Sequence, residues 1–171
     1  MSNYKRCYLP DHSYFFTVVT ANRCPLFAEK NNVALLRAAI RYVKTRKPFV
    51  VEAICVLPDH IHCIWTLTED SDYSTRWQVL KTYFSRQYRR YCPQMKTVQI
   101  WQPRYWEHAI RNQGDFDRHL DYIHYNPVKH GYVSSACQWP YSSYGRYLEK
   151  GHYDADWGCV EPAGIAGMDF E

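Results

Sequence analysis

The chain has 171 residues and a mass of 20.4 kDa; 22% of its side chains are charged and 46% are hydrophobic, which fits one folded domain and excludes a disordered chain. Its formal net charge is only +4, but the charge is unevenly distributed. Residues 152–171 contain five acidic side chains and no lysine or arginine. Residues 1–151 therefore carry 21 basic and 12 acidic side chains, a net charge of +9. A basic body predicts a polyanionic partner. No apolar run approaches the roughly 18 residues of a membrane span and no secretory signal is visible, so we expect a cytoplasmic protein without a membrane partner.

The first half of the chain alternates strand and helix patterns. Residues 13–20 are rich in β-branched and aromatic side chains, which predicts a strand. Residues 31–47 place apolar side chains at helical spacing, with Asn31 or Asn32 as the expected N-cap and Pro48 as the stop. Residues 49–57 and 61–67 are two further strands, and the short turn between them permits only an antiparallel hairpin.

The second half predicts two more helices. Residues 75–91 form the second one, with Ser71 or Ser74 as its expected cap and a surface that carries cations without an acid. The third covers residues 115–125. It should end before Asn126-Pro127, because the residue that precedes a proline resists helical dihedral angles.

A short strand at residues 105–110 completes the order β-α-β-β-α-β, followed by an added C-terminal helix. This order is typical of the ferredoxin-like α+β fold. We therefore expect an antiparallel sheet with helices on one face, and a single catalytic domain over residues 1–151 followed by an acidic tail over residues 152–171.

A pair of histidines begins the third predicted strand. Side chains alternate along a strand, so His60 and His62 point to one face while Ile61 points to the other. Two imidazoles at this spacing can share one metal ion, although the spacing does not identify the metal. The alternative is a pair of surface histidines on a half-exposed strand.

Tyr122 and Asn126 form the second signal, since residues four apart on a helix share a face. A phenol and an amide oxygen would then point the same way. The alternative is that Tyr122 packs on the sheet and Asn126 only ends the helix. Tyr125 is the rival tyrosine; at 100° per residue it lies about 300° around the helix from Tyr122, and only Tyr122 is four residues before Asn126.

Together, three segments resemble a known family. PDHIHCIW at residues 58–65 resembles the HUH motif (histidine, hydrophobic residue, histidine) of single-strand DNA nucleases. RYWEHAIRNQGDFDRHLDYIHYNPVKHGYV at residues 104–133 and WPYSSYGRY at residues 139–147 resemble the REP-associated tyrosine transposases. The resemblance runs over residues 14–147 and is weakest in the acidic tail.

The resemblance implies a role for each motif residue. It makes Tyr122 the nucleophile, and His60, His62 and Asn126 the ligands of Mg²⁺ or Mn²⁺. It implies cleavage of single-stranded DNA at repetitive extragenic palindrome (REP) hairpins, with a 5′-phosphotyrosine and a free 3′-hydroxyl as products, in the bacterial cytoplasm at the nucleoid. Lys129 and His119 are candidates to ease the ionisation of Tyr122. A monomer and a homodimer both remain open.

Basic side chains spread along the chain are candidates for DNA contact, although cations on helices are often only solvated. They are Lys5, Arg6, Arg23, Arg76, Lys81, Arg86, Arg89, Arg90, Arg104, Arg111 and Lys129. Two other functions stay open: a catalytically idle regulator that binds DNA hairpins, and a metal-dependent hydrolase of small molecules. The acidic tail is either a disordered solubilising end or an inhibitory segment, with Ile165, Met168 and Phe170 as its anchors.

Overall fold

The computed structural model describes residues 6–170, so Lys5 lies outside the described residues. Within that range, no helix combines the length and the apolar character that a membrane crossing requires. The strands are β1 (His12–Val19), β2 (Val50–Val56), β3 (His60–Leu67) and β4 (Trp106–Ala109); the helices are α1 (Lys30–Lys44), α2 (Tyr73–Tyr91), α3 (Gln113–Lys129) and α4 (Tyr144–Glu149).

The strands form one antiparallel sheet in the order β2-β3-β1-β4. Helix α1 connects β1 to β2, and helix α2 connects β3 to β4. This is the split β-α-β arrangement expected from the sequence, so the predicted α+β fold is confirmed.

The two faces of the sheet are covered by different helices. On one face, Phe16 of β1 and Trp65 of β3 pack in a core with α1 and α2, where Trp65 stacks on Trp77 at 4.1 Å. On the other face, Phe15 and Ile64 pack in a second core with α3. Adjacent residues of β1 therefore serve opposite cores, as strand alternation requires. The added helix α3 covers the second face together with Tyr144 of α4 and C-terminal residues such as Ile165.

Helix ends differ from the sequence expectations. Helix α2 is capped by Asp72, whose side chain accepts a hydrogen bond from the Thr75 amide, and not by Ser71 or Ser74. Helix α1 starts at Lys30, which places Asn31 and Asn32 in its first turn and excludes both as its N-cap.

The predicted end of α3 before Pro127 was wrong, because the helix continues to Lys129 with Pro127 inside it. Its last turn is closed by a Schellman motif. The Tyr132 amide donates to the Pro127 carbonyl at 3.0 Å and the Gly131 amide donates to the Val128 carbonyl at 2.9 Å, with Gly131 at φ +70°. This closure holds Asn126 in helical geometry despite the following proline.

A segment that the sequence left unassigned covers the outer edge of β2, and we call residues 139–147 the edge strap. The Val56 amide donates to the Tyr141 carbonyl at 2.9 Å, and the Ser143 amide donates to the Ile54 carbonyl at 2.8 Å. The Tyr147 hydroxyl donates to the Glu52 carbonyl at 3.0 Å. The strap thus supplies the hydrogen-bond partners that a fifth strand would supply.

Candidate active site

His60 and His62 lie side by side at the start of β3, on the face that α3 covers. Neither side chain is exposed, and their ring centroids are 4.7 Å apart. Strand β1 runs alongside, with Thr17 opposite His62 in the register. The shared face is as predicted, and full burial removes the alternative of two surface histidines.

Asp59 fixes the orientation of His60. The His60 Nδ1 lies 2.6 Å from the Asp59 Oδ1, and Arg23 donates to the other carboxylate oxygen at 3.0 Å. Burial acts to raise the pKa of the Asp59 carboxyl, but the hydrogen bonds and charges of His60 and Arg23 outweigh burial and lower that pKa to about 2. An ionised Asp59 accepts the Nδ1 proton, which leaves the lone pair of His60 on Nε2.

His62 is held in the same way from β1. Its Nδ1 lies 2.9 Å from the Thr17 Oγ1. Burial, followed by the positive charges nearby, lowers the pKa of His62, so the imidazole is neutral. The Nε2 atoms of both His60 and His62 are buried and have no hydrogen-bond partner within residues 6–170.

Asn126 adds a third buried group without a partner. Its side chain is fully buried on α3, and neither its Oδ1 nor its Nδ2 has a hydrogen-bond partner in the described chain. Leaving a buried polar atom unpaired costs about 1–3 kcal/mol, a cost that a bound cation would offset at His60, His62 and Asn126. Imidazole nitrogens bind many divalent metals and an amide oxygen suits Mn²⁺ or Mg²⁺, so the residues present fit a divalent metal.

Tyr122 lies on α3, between His62 of β3 and Lys129 in the last turn of the helix. Its ring is 5.2 Å from the His62 ring, and only 1% of the residue is exposed. Its hydroxyl accepts a hydrogen bond from the Lys129 Nζ at 3.4 Å, and that cation lies 5.0 Å from the centre of the phenol ring. Tyr122 thus packs against the sheet and also faces the HUH pair, so both interpretations of its side chain hold at once.

The C-terminal segment contacts this site. The Phe170 amide donates to the Tyr122 hydroxyl at 3.3 Å, and the Asp169 carboxylate lies 3.6 Å from the Lys129 Nζ. Ile165 is 2% exposed and belongs to the core beneath α3. Residues 152–170 are therefore packed on the body, with Ile165, Met168 and Phe170 as anchors.

A second histidine cluster joins β4 to the start of α3. The Asp115 carboxylate accepts hydrogen bonds from the His108 Nε2 at 2.8 Å and the Arg111 Nε at 3.1 Å, and the Arg118 guanidinium lies 3.5 Å away. Burial acts to raise the pKa of Asp115, but Arg111 and His108 hold it well below its usual range. His119 offers a ligand atom within 4.8 Å of the others. Because two guanidiniums already neutralise the carboxylate, the cluster fits an anchor for α3 better than a metal site.

Several expected DNA contacts have structural partners instead. Arg76 is fully buried and binds Asp70 and the Pro48 carbonyl, so it has no exposed group for a phosphate and its assignment was wrong. Lys81 donates to the Gln102 carbonyl at 3.1 Å, and burial lowers its pKa to about 8.

Other cations of the set are divided between structural and exposed positions. Arg6 bonds to Ser74 and Tyr105, and Arg23 pairs with Asp59. Arg89 is half-buried and donates to the Val98 carbonyl at 3.1 Å. Three members have exposed side chains and no such bond to another segment of the described chain: Arg86, Arg90 and Arg104. Arg111 and Lys129 are also exposed, but Arg111 binds Asp115, and Lys129 contacts Tyr122 and the tail.

A basic groove was missed by the sequence reasoning. Arg37, Arg41 and Lys44 of α1 and Arg146 of α4 line a groove of about 350 Å³ between α1 and the edge strap. None of its lining residues within positions 6–170 is acidic. The three helix cations are spaced i, i+4 and i+7 on a helix that contains no acid, and this spacing was a readable signal.

Comparison with known proteins assigns the family. Residues 8–126 match the sequence model of the family described as "Transposase IS200 like". A REP-associated tyrosine transposase of Escherichia coli (strain K12) is 45% identical over 158 residues, which cover 92% of this chain and 91% of that protein. A solved structure of a REP-associated tyrosine transposase bound to a REP hairpin superposes with a TM-score of 0.81 at 42% identity and covers 96% of each chain. The chain therefore belongs to the IS200-like transposases, a family of DNA-cleaving enzymes.

Proposed function

We propose that this IS200-like transposase cuts and rejoins single-stranded DNA at REP-type hairpins, with Tyr122 as its nucleophile. The observation that carries the proposal is the position of a buried tyrosine beside three residues whose ligand atoms are buried and unpaired: His60, His62 and Asn126. The likeness to a relative that is bound to a REP hairpin supports the substrate class.

The His60 Nε2, the His62 Nε2 and the Asn126 Oδ1 would hold Mg²⁺ or Mn²⁺. A cation bound there would polarise the scissile phosphate and help to orient it for in-line attack. Asp59 accepts the Nδ1 proton of His60, and Thr17 binds the Nδ1 of His62, so both contacts leave each Nε2 free for coordination.

Tyr122 attacks as the phenolate, and with an ordinary pKa near 10 its ionisation at pH 7 costs roughly 4 kcal/mol. The Lys129 ammonium, 3.4 Å from the hydroxyl, offsets part of this cost. The phenolate oxygen forms a bond to phosphorus and the bond from phosphorus to the 3′ oxygen breaks. The phosphate stays on Tyr122, and the freed oxygen takes a proton to become a 3′-hydroxyl. Because the phosphotyrosine keeps the energy of the broken bond, a 3′-hydroxyl can later rejoin the strand without ATP.

Tyr122 lies against the histidines of its own chain, which supports action in cis by a monomer. The exposed cations Arg86, Arg90, Arg104 and Arg111, together with the basic groove, supply charge for the DNA backbone. Each phosphate contact releases counterions, so hairpin affinity should fall steeply with salt. We infer from this proposed partner that the protein acts at the nucleoid of the bacterial cytoplasm.

The test is incubation with a single-stranded REP hairpin oligonucleotide and Mn²⁺, followed by denaturing electrophoresis. We expect a covalent protein–DNA adduct that disappears in Tyr122→Phe while hairpin binding is retained. Tyr125→Phe is the matched control and should keep the adduct. An adduct that survives in Tyr122→Phe and is lost in Tyr125→Phe would overturn the assignment.

The contacts of the acidic tail favour a second proposal, that residues 152–171 restrain the catalytic domain formed by residues 1–151. Asp169 and Phe170 occupy the surroundings of Lys129 and Tyr122, which the substrate must reach. A chain that binds hairpins and forms no adduct even without these contacts would instead be the idle regulator. Weak, salt-insensitive hairpin binding would favour the small-molecule hydrolase.

A further inference from the structure

A chain of largely buried polar side chains joins α3 to the outer strand of the sheet. The Ile54 amide of β2 donates to the Ser143 Oγ of the edge strap at 2.9 Å, and the same oxygen lies 2.8 Å from the His124 Nε2 of α3. On the other side of the imidazole, the His124 Nδ1 lies 2.9 Å from the Tyr153 hydroxyl, which donates to the Asp121 Oδ1 at 3.0 Å. These hydrogen bonds connect β2, the strap, α3 and Tyr153 in one continuous path.

The two ends of this chain fix its direction. The Asp121 carboxylate accepts the Tyr153 hydroxyl proton, so the Tyr153 oxygen accepts from the His124 Nδ1. The His124 Nε2 then holds the lone pair and accepts the Ser143 hydroxyl proton, and the Ser143 oxygen in turn accepts from the Ile54 amide. Each donor along the path has one acceptor, so the chain has a single arrangement of its protons.

The chain contacts α3 on the flank opposite its candidate catalytic groups. At 100° per residue, Asp121 and His124 share one side of the helix, and the pair Tyr122 and Asn126 is centred about 150° away from them. One helix therefore presents its polar contacts to the strap on one flank and its candidate nucleophile and ligand on the other.

Apolar packing alone does not set the rotation of α3 about its own axis. Leu120 and Ile123 hold the helix on the sheet between the two flanks, and hydrophobic contact is non-directional. At a side-chain radius of about 5–6 Å, a roll of about 10° would move Tyr122 and Asn126 by about 1 Å. A displacement of that size can cost about 100-fold in rate. Directional contacts on the opposite flank would prevent such a roll.

We propose that the Ser143–His124–Tyr153 chain sets the rotation of α3 and thereby holds its nucleophile and its metal ligand in register with the histidines of β3. For the reaction that this register serves, the proposal rests on the proposed function. The three side chains act through the helix and are positioning residues. Ser143 and His124 have the polarity of a nucleophile and its base, but burial lowers the pKa of His124 to about 3, which makes the imidazole too weak a base for that chemistry.

Tyr153→Phe tests the chain, because it removes one hydroxyl and keeps the buried ring. Tyr144→Phe is the matched control. The Tyr144 hydroxyl donates to the Trp157 carbonyl at 3.4 Å, and the Tyr144 ring stacks on Tyr153 at 5.2 Å in the same core. The control therefore makes the same chemical change, next to the chain but outside it.

Three quantities are measured well below the melting temperature of each variant. They are the single-turnover rate constant of adduct formation with saturating REP hairpin and Mn²⁺, the Mn²⁺ affinity by calorimetry without DNA, and the hairpin affinity in EDTA. We expect Tyr153→Phe to lower the rate constant by about tenfold or more and to weaken Mn²⁺ binding, with hairpin affinity unchanged. Tyr144→Phe should leave all three unchanged. A loss of stability alone would move none of them at a temperature where every variant is folded.

Ser143→Ala interrupts the same chain at its other end. It should lower the rate constant as Tyr153→Phe does, and the double variant should be little slower than either, because members of one hydrogen-bond network are not additive. The proposal is overturned if Tyr153→Phe matches Tyr144→Phe in rate and in Mn²⁺ affinity, or if the two losses multiply in the double variant. Absence of any adduct from the unaltered chain would refute the proposed function instead, and the Mn²⁺ affinities would still decide whether the chain positions Asn126.

Discussion

Two histidine clusters flank Tyr122 along α3, and they are built in opposite ways. In the HUH cluster the protein binds only the Nδ1 atoms, through Asp59 and Thr17, and leaves the Nε2 atoms buried and unpaired. In the second cluster the contacts converge on one carboxylate, Asp115, which is already neutralised, and only the His119 Nε2 is left buried and unpaired in the described chain. Under the proposed function, similar residue types would serve a reacting centre in one place and a structural anchor in the other. The partners already taken, rather than the ligand count, distinguish the two.

The largest expected effect is at the HUH cluster. His62→Ala removes a ligand nitrogen, and we expect adduct formation to fall more than 100-fold while hairpin affinity is retained. His108→Ala in the second cluster is the matched control. It should lower the melting temperature but keep adduct formation within about tenfold when assayed below that temperature. Equal losses of activity in the two variants would end the distinction between the clusters.

Asp59→Asn should have the next largest effect. It replaces the carboxylate that orients His60 with a neutral amide, and loss of such an outer partner typically costs 10- to 100-fold in metal affinity. Titration with Mn²⁺ by calorimetry measures this directly. Asp70→Asn, which alters the carboxylate beside Arg76 and lies away from the histidines, should leave Mn²⁺ affinity unchanged. Unchanged affinity in Asp59→Asn would show that Asp59 has no orienting role.

Asp115→Asn should chiefly reduce stability, by about 1–3 kcal/mol, because several donors lose their charged acceptor. The pKa of Asp115 is depressed in the folded chain, so its contribution is present above the ordinary carboxyl pKa near 3.9 and is lost as the pH falls through the lower folded value. Urea unfolding at pH 7 and at pH 3 should therefore show a smaller difference in the variant. Asp117→Asn, whose carboxylate is bonded to Gln113, is the control and should keep the full difference.

The smallest expected effect comes from the tail. Deleting residues 152–171 would also remove the buried Tyr153 and Ile165 from the core, so removal of residues 168–171 is the cleaner test. We expect adduct formation to rise severalfold with only a small fall in melting temperature, because Met168 and Phe170 are partly buried against the core. Unchanged cleavage and unchanged DNA affinity would contradict the restraining role.

Local patterns predicted most of the fold and the relative placement of the candidate site residues. Strand alternation placed His60 and His62 on one face, and helical spacing aligned Tyr122 with Asn126, because both depend only on backbone geometry. The course of α3 through Pro127 was missed, since it depends on a closing motif five residues further on. The burial of Arg76 depends on Asp70 and on carbonyls of another segment, which no local pattern encodes.

The covered state of Tyr122 depends on contacts between distant parts of the chain. Residues 168–170 reach α3 and β4 through packing and one charge pair, and the tail's composition showed only its acidity. The sequence therefore allowed both a solubilising and an inhibitory tail. The same is true of the basic groove, whose cations come from α1 and α4.

The edge strap is synthesised long after the strand that it covers. The Glu52 carbonyl receives its partner from Tyr147, 95 residues later in the chain. At roughly 5–20 residues per second, a ribosome needs about 5–20 s to supply that partner after β2 has emerged. During this interval the outer edge of β2 is an open template for another strand. The strap also binds α3, through the Ser143 hydroxyl and His124 at 2.8 Å, so the sheet edge and the helix that bears Tyr122 are locked together only when synthesis is almost complete. In a nascent chain this sheet edge therefore stays open until the same late segment both covers it and joins it to α3.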